Sequence, residues 1–444
     1  MRVAIVGGGI SGLATAFYLN REQPDWEILL LEAGPRLGGT MGTENVGGFL
    51  FEIGSNGFLS NKPDTLTLVE DAGAGHLMIR SNDLARVRYI YHQGLHRLPE
   101  SPPAFVRTRL LSLGGKLRTL GEVLVAPRTE DGDETLQSFG YRRVGKEFTD
   151  VFLNAMVAGI YGSTPEDISV NAAFPAVVKL ERDYGGLFKG MIKKRKKEAG
   201  PGGVLMGFER GVRTLVELLG PRLGAGVRTG TPVQGLCRGG DAYTLHLPEG
   251  ATETVDKLVL CTPAFTASDL LQDVDHHIAM QLDAVEYSPI SVVGLGYHQL
   301  DHPLDGFGLL TTAAARQQVL GVLWDSSVFP DRAPSGAKSM RAMIGGQRSP
   351  DLALQDDDQL VETALRGVRE TMGVDTPPDV TFVKRWERGI PNYKVGHLAN
   401  VDGIFEKLRR HPGLYLNSNA YYGVSLNDCV RNSREAAARI AAPS

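Results

Sequence analysis

The sequence predicts an α/β protein built around an N-terminal nucleotide-binding β-α-β unit, and three observations carry that prediction. A strand-length apolar run, Arg2–Val6, leads straight into Gly7, Gly9 and Gly12 in G-x-G-x-x-G order. Ile10, Leu13, Ala14, Phe17 and Tyr18 then recur at helical spacing. A second apolar run ends at Glu32, about 20 residues past Gly12. Each glycine has a physical task. Gly7 permits the tight turn, Gly9 lets a pyrophosphate approach the backbone, and Gly12 lets helix and strand pack closely. Gly8, Ile10 and Ser11 fill the spaces of the motif, where the helix N-terminus offers N–H groups to phosphate. Glu32 can accept from both ribose hydroxyls and would repel a 2′-phosphate, so NADP fits poorly.

Bulk composition narrows the class. The 444 residues are 42% hydrophobic and 22% charged, a globular composition long enough for two or three domains. A formal net charge of −4 disfavours a nucleic-acid partner, since such binders are usually basic. Cys237, Cys261 and Cys429 are odd in number and far apart. They form neither a disulfide framework nor a C-x-x-C metal or redox pair, so we expect no metal and a reducing, cytoplasmic setting. The first strand begins one residue after Met1, which leaves no room for a signal peptide. No apolar run approaches the ~18 residues of a membrane span.

Beyond Glu32 and Ala33 comes a second glycine turn, Arg36-Leu37-Gly38-Gly39-Thr40, then Phe51–Gly57 with Gly54, Ser55, Asn56 and Gly57. A plain NAD domain does not need this second pair. The pattern resembles the large flavoprotein group of amine oxidases, carotenoid desaturases and protoporphyrinogen oxidases. There the adenine half of FAD lies on the first turn, and the segment matching Gly54–Gly57 runs beside the pyrophosphate and flavin. The resemblance therefore implies FAD.

Further along, residues 60–80 read as a helix closing the first lobe. Val87, Tyr89 and Tyr91 alternate with Arg88 and Ile90, as in a strand with two unlike faces, and Leu95–Leu98 is its partner across a turn. Arg88 interrupts an apolar stretch. Two readings stay open: a solvated edge arginine, or a guanidinium fork for a substrate carboxylate. Residues 100–202 read as mostly helical. Near their end Leu187, Phe188, Met191 and Ile192 lead into a basic run, which suits either a solvated face or an anionic membrane surface. GFERGVRTLVELLGPRLG (207–224) reads as a helix, with strands and turns to follow. Thr231-Pro232-Val233 resembles the flavin-group segment that touches adenine, and the 257–261 run is a buried strand breaking at Thr262-Pro263. Residues 280–402 read as short strands of a second sheet. The C-terminus reads as strand, turn and helix, with Gly423, Val424, Ser425 and Leu426 at the helix start. A helix N-terminus there would stabilise negative charge on reduced flavin.

The chain as a whole resembles the protoporphyrinogen oxidase family, flavoproteins of the penultimate step of haem synthesis. The resemblance rests on GGGISGL, EAGPRLGG, the RYIY run at Arg88, VAGIYG (157–162), DGFGLL (305–310) and YYGVSLNDC (421–429). It implies an α/β fold with a discontinuous Rossmann-like FAD-binding domain (1–77, 203–268, 403–444). It also implies a mixed-sheet substrate domain (78–99, 269–402) and a helical insertion (100–202), for which membrane contact stays open. It implies that Arg88 pairs with a propionate of the tetrapyrrole substrate. Gly159 would lie against the macrocycle opposite the flavin, Phe307 and Leu310 would pack on it, and Met343 would stand behind them. FAD would touch Gly7–Gly12, Glu32, Ala33, Arg36, Gly39, Thr40, Gly54–Gly57, Val233, Asn419 and Val424–Leu426. Asn417 and Asn419 depart from the small residues relatives carry near the flavin, and Ser55-Asn56 from a frequent Gly-Pro.

The implied reaction is oxidation of protoporphyrinogen IX to protoporphyrin IX in three flavin cycles, with molecular oxygen reoxidising the flavin to give peroxide. No His–Asp or Cys–His pair stands out, and His276-His277 read as surface residues. Coproporphyrinogen III is the alternative substrate within the family. A flavin amine oxidase is the next alternative, but the strand Pro289–Val293 lacks the lysine such enzymes usually place near the flavin. A flavin-free escort protein of the same fold is the non-enzyme alternative. A homodimer and peripheral contact with the inner face of a membrane stay open.

Overall fold

A computed structural model describes residues 1–128, 132–197 and 203–442. Its first unit is a five-stranded parallel sheet in the order Val227–Arg228, Glu27–Leu31, Arg2–Val6, Lys257–Leu260, Leu414–Leu416. Val3, Ala4 and Ile5 of the central strand are fully buried. They read as a continuous apolar run because helices cover both faces of a parallel sheet. On one face the helix Ile10–Glu22 packs against Leu426–Ala441 through Leu13, Phe17, Val430 and Ala437. On the other, Ala264–Leu271 and His276–Asp283 cover Ala4, Val6 and Leu258. This sheet therefore draws its strands from both ends and the middle of the chain.

Two local expectations are corrected. The helix read over 60–80 is confined to Pro63–Asp71, with a short strand, Met78–Arg80, after it. The helix read over 207–224 starts late. Leu205–Phe208 is a strand paired with Phe58–Leu59 and Met78–Arg80, and the helix runs over Arg213–Arg222. Arg210 and Gly211 between them have φ of 66° and 94°, left-handed values that no helix continues through.

The second unit is a seven-stranded mixed sheet. Its order is Val380–Pro391, Tyr287–Tyr297, Lys338–Gly345, Val319–Leu323, Gly308–Thr311, Tyr89–Tyr91, Leu95–Arg97. All pairs are antiparallel except Gly308–Thr311 with Tyr89–Tyr91. Alternation along the strands gives the sheet two unlike faces. Val293, Leu295, Met340, Ala342 and Ile344 turn to the helix Asp357–Met372, meeting its Leu360, Ala364 and Val368. Leu310, Met343 and Val292 share one cross-strand row on the opposite face, with Gly321 between the first two. That face turns toward the first unit. Strand glycines make the approach possible: a Cβ on Gly294 or Gly296 would stand 2.6 or 2.9 Å from the rings of Phe51 and Phe49. The Thr43–Glu52 hairpin therefore lies flat on the sheet.

The segment 102–197 is helical, as expected. Its interior holds a fully buried ion pair, Arg143 with Glu122. Glu122 also accepts from the Leu187 and Phe188 N–H groups, and Arg143 donates to the Val125 carbonyl, so neither charge lacks partners. Among the described residues no helix is long and apolar enough to cross a membrane. In the basic run only Lys193 has a described side chain. The side chains of 194–197 and all of 198–202 lie outside the described residues.

Candidate active site

The two glycine turns and the third glycine segment join into one trench at the C-terminal edge of the parallel sheet, where such sheets bind nucleotides. Gly38 donates to the Gly8 carbonyl at 2.8 Å, and Gly39 stands against Gly9, so close that its Cβ would meet the Gly9 Cα at 3.3 Å. A Cβ on Gly54 would be 2.4 Å from the Thr40 carbonyl oxygen. Each oxygen of Glu32 accepts one backbone N–H at 2.7 Å, from Gly8 of the first turn and from Gly34 two residues on, so the carboxylate ties the first turn to the end of the second strand. Each keeps a lone pair for a hydroxyl. Arg36 supports the second turn by donating to the Leu37 and Gly39 carbonyls. Ala33 and Thr40 are exposed beside it, and Val233 is half-buried.

The three glycines of the first turn separate by cause. Gly7 has φ of 105°, and a Cβ on it would press within 2.8 Å of the Cys261 carbonyl. A Cβ on Gly12 would lie 1.9 Å from the Gly7 carbonyl oxygen. A Cβ on Gly9 would meet nothing within 4 Å. The protein's own packing requires Gly7 and Gly12 but not Gly9, so the space beside Gly9 fits the phosphates of a dinucleotide at the helix N-terminus.

Not every predicted contact residue faces the trench. Ser11, Gly12 and Leu426 are buried and serve through backbone and packing. Asn417 is a structural tie: its side chain donates to Thr15 Oγ1 at 2.9 Å and Ser433 Oγ at 3.0 Å. Asn419 is held by its carbonyl, which accepts from the Tyr393 hydroxyl at 2.6 Å, while Gly423 N–H donates to that hydroxyl at 2.9 Å. Tyr393 thus fixes the loop that delivers half-buried Val424 and exposed Ser425 to the start of the last helix. Burial pushes its phenol well above the usual range, so it stays protonated. It stacks on His397 with ring centroids 4.1 Å apart. Burial lowers the His397 imidazole, whose Nε2 bonds the Tyr421 carbonyl.

The mixed sheet supplies the opposite wall. Arg88 lies just before the Tyr89–Tyr91 strand, not within it, because Val87 and Arg88 use their carbonyls to accept from Phe307 and Leu98. Its exposed guanidinium sits 5.5 Å from the Phe307 ring centroid and has no ion-pair partner among the described residues. The helix Asn154–Tyr161 lies across the strands with Gly159 so close to Leu310 that a Cβ would meet Leu310 Cδ2 at 2.7 Å. Gly159 is exposed in the last turn, where helix carbonyls run out of internal donors. Met343 packs with Ala158, Ile290, Leu320 and Trp386. Arg88 with Phe307 and Gly159 with Leu310 are therefore brought together, with Met343 in the Leu310 row.

Sequence reasoning missed four residues here. Arg348 pins the 154–161 helix to the sheet, donating to Thr311 O at 2.7 Å and Asn154 Oδ1 at 2.6 Å, and burial lowers it to about 10. Trp386 Nε1 donates to the Ile53 carbonyl at 2.8 Å. Lys384 pairs in register with Val292, so the row expected to lack a lysine receives one from the neighbouring strand, its Nζ 4.5 Å over Trp386. Arg341 bridges both units. An arginine breaking the apolar SMRAMIGG run is the same signal that drew attention to Arg88. Among the described residues no trio of His, Cys, Asp or Glu stands close enough to hold a metal ion.

Comparison with known proteins agrees with this geometry. Residues 10–441 match the family of flavin-containing amine oxidoreductases. The chain is 29% identical to the coproporphyrinogen III oxidase of Bacillus subtilis, covering 98% of this chain and 96% of that one. It is 30% identical to the chloroplastic protoporphyrinogen oxidase 1 of Arabidopsis thaliana, over 98% of this chain and 87% of the relative. A crystal structure from Exiguobacterium sp. 255-15, provisionally named a protoporphyrinogen oxidase, superposes with a TM-score of 0.88 at 28% identity, covering 99% and 98% of the two chains. The chain belongs to the flavin-containing amine oxidoreductase family, an FAD-dependent oxidoreductase of the branch the porphyrinogen oxidases occupy.

Proposed function

We propose that this enzyme oxidises protoporphyrinogen IX to protoporphyrin IX in haem biosynthesis, with oxygen as the final acceptor. The observation that carries the reading is Arg88, a guanidinium without an ion-pair partner among the described residues, above Phe307 at the edge of an apolar wall. A flat, largely apolar ring with carboxylate arms matches that combination. FAD, when bound, accepts the hydride equivalents that leave the ring. The chain's residues do the rest by position, since hydride transfer depends on proximity and alignment. Arg88 holds a propionate. Phe307, Leu310 and Met343 form the surface the ring packs on. Gly159, lacking a side chain, lets the ring approach the helix and offers its carbonyl to a pyrrole N–H.

Coproporphyrinogen III, with propionates in place of vinyl groups, is the second reading, favoured by the Bacillus subtilis relative. Supplying the two substrates separately in air, and following porphyrin fluorescence and peroxide, tests both. Faster turnover of protoporphyrinogen IX supports the first reading. Faster turnover of coproporphyrinogen III replaces it with the second. If neither fluoresces above the enzyme-free drift while amines bleach the flavin, both fail.

We also propose a cytoplasmic location and peripheral contact of this enzyme with an anionic membrane surface, at a place other than the basic run. Leu113, Leu117, Leu120 and Leu124 are exposed at helical spacing on Leu113–Leu120 and the turn after it, and Val106 is exposed nearby. Arg107, Arg109 and Arg118 are exposed in the same stretch. An apolar stripe with cationic flanks suits an acidic lipid interface. Co-sedimentation with phosphatidylglycerol vesicles but not phosphatidylcholine vesicles, lost in Leu117→Glu/Leu124→Glu, is the expected result. Equal sedimentation of the variant overturns it.

A further inference from the structure

Arg341 is 1% exposed, on the face of the mixed sheet that turns toward the cofactor unit, two residues before Met343. Its donors reach three acceptors in two separate parts of the chain, Asp325 and the 52–57 segment. Nε and Nη2 donate to the two oxygens of Asp325 at 2.8 and 2.7 Å. Nη1 donates to the Glu52 carbonyl, and Nη2 donates also to Asn56 Oδ1. Glu52 is itself buried and anchored from the other side. Its carboxylate pairs with Arg332 at 3.1 Å and accepts from Thr43 Oγ1 and Val212 N–H. Asn56 belongs to the glycine segment, and Phe307 lines the same small cavity as Asn56, Asp325 and Arg341. One guanidinium thus joins the strand that carries Met343 to the segment that flanks the cofactor. A side chain at 56 without an acceptor would leave one of its buried N–H groups unmet.

We propose that Arg341 is a positioning residue for the flavin: through Asn56 and the Glu52 carbonyl it fixes the 52–57 segment against the sheet, and so sets the alignment of cofactor and substrate. The inference rests on FAD running along Gly54–Gly57 and on the wall around Met343 facing the substrate. It predicts that the contact is felt in the flavin before any substrate is added.

Asn56→Ala removes the acceptor and leaves the other bonds of Arg341 in place. Asn56→Asp restores an acceptor, now charged. In Asn56→Ala the FAD dissociation constant, read by flavin fluorescence on reconstituting apoprotein, rises about tenfold, the size of one charge-assisted hydrogen bond. The flavin midpoint potential shifts, and the rate of flavin reduction by porphyrinogen falls while KM stays within about twofold. Asn56→Asp recovers the affinity. Should the alanine variant not fold by near-UV circular dichroism, Asn56→Leu, of similar size and without an acceptor, carries the same expectations. Affinity and potential equal to those of the parent enzyme in the folded variant overturn the proposal. Because both are measured without porphyrinogen, that failure is distinct from a wrong substrate.

Discussion

The cofactor trench and the wall facing it are built in opposite ways. The trench is backbone: turns at 7–12 and 36–40 touch carbonyl to N–H, and one nearby carboxylate, Glu32, holds the first of them. The wall is mostly side chains, brought from positions 88, 307, 310 and 343 along neighbouring strands, with the bare backbone of Gly159 on one crossing helix. A backbone site tolerates no added atoms, whereas a side-chain site loses function by degrees. The cofactor half should therefore fail all at once and the substrate half in steps.

The largest effect tests the first part of that contrast. Gly9→Val should abolish FAD binding yet leave the fold intact, because nothing in the protein lies where the new Cβ would go. Gly12→Val should lose both fold and flavin, since its Cβ would collide with the Gly7 carbonyl. Flavin absorbance and melting temperature of the purified variants separate the two outcomes, and flavin retained in Gly9→Val would misplace the cofactor. Next, Arg88→Ala should keep stoichiometric flavin and raise KM about 10- to 100-fold, from ~1.5–3 kcal/mol of lost charge-assisted pairing. Steady-state kinetics with unchanged KM would remove the propionate assignment. Phe307→Ala should raise KM only severalfold, by the ~0.5–1 kcal/mol of an exposed cation–π contact plus lost packing. A larger effect than that of Arg88→Ala would shift the anchor from charge to ring.

The smallest effect lies outside both regions. Asp275 caps the helix His276–Asp283 and meets His411 Nε2 at 2.9 Å. Burial pushes its carboxyl up, but the His411 hydrogen bond and the Ile278 and His277 N–H groups outweigh it and hold it below the usual range. A depressed carboxyl stabilises the fold above its unfolded pKa and loses that contribution as pH falls through the folded value. Asp275→Asn should cost about 0.5–1 kcal/mol at neutral pH by urea unfolding, a difference that fades as pH falls through the depressed Asp275 range, with flavin and KM unaffected.

The same contrast explains what could be read from the chain alone. The trench was legible because its parts are near in sequence and glycine leaves a recognisable spacing. The α/β class and a second sheet followed from strand-length runs, while the mixed character of that sheet came only with the family resemblance. Arg88 and Phe307 were paired only through family resemblance, for no spacing joins positions so far apart. Arg341, Arg348 and Tyr393 went unread because their importance lies in which distant backbone groups they reach. The role of Asn417 went unread for the same reason: its place near the flavin loop is visible in sequence, but its bonds to Thr15 and Ser433 are not. Leu113–Leu124 looked like an ordinary amphipathic stretch, and only packing shows that its apolar stripe faces outward.

The parallel sheet has a consequence for synthesis. Its central strand is made long before Leu414–Leu416 and before the helix Leu426–Ala441, which packs against the first helix. At translation rates of ~5–20 residues per second, roughly 20–90 seconds separate the glycine turn from the helix that completes its surroundings. During that interval the first strand can already pair with Glu27–Leu31 and Lys257–Leu260, but the first helix lacks the helix that covers it. The surroundings of the glycine turn are therefore complete only after the Leu426–Ala441 helix has been made.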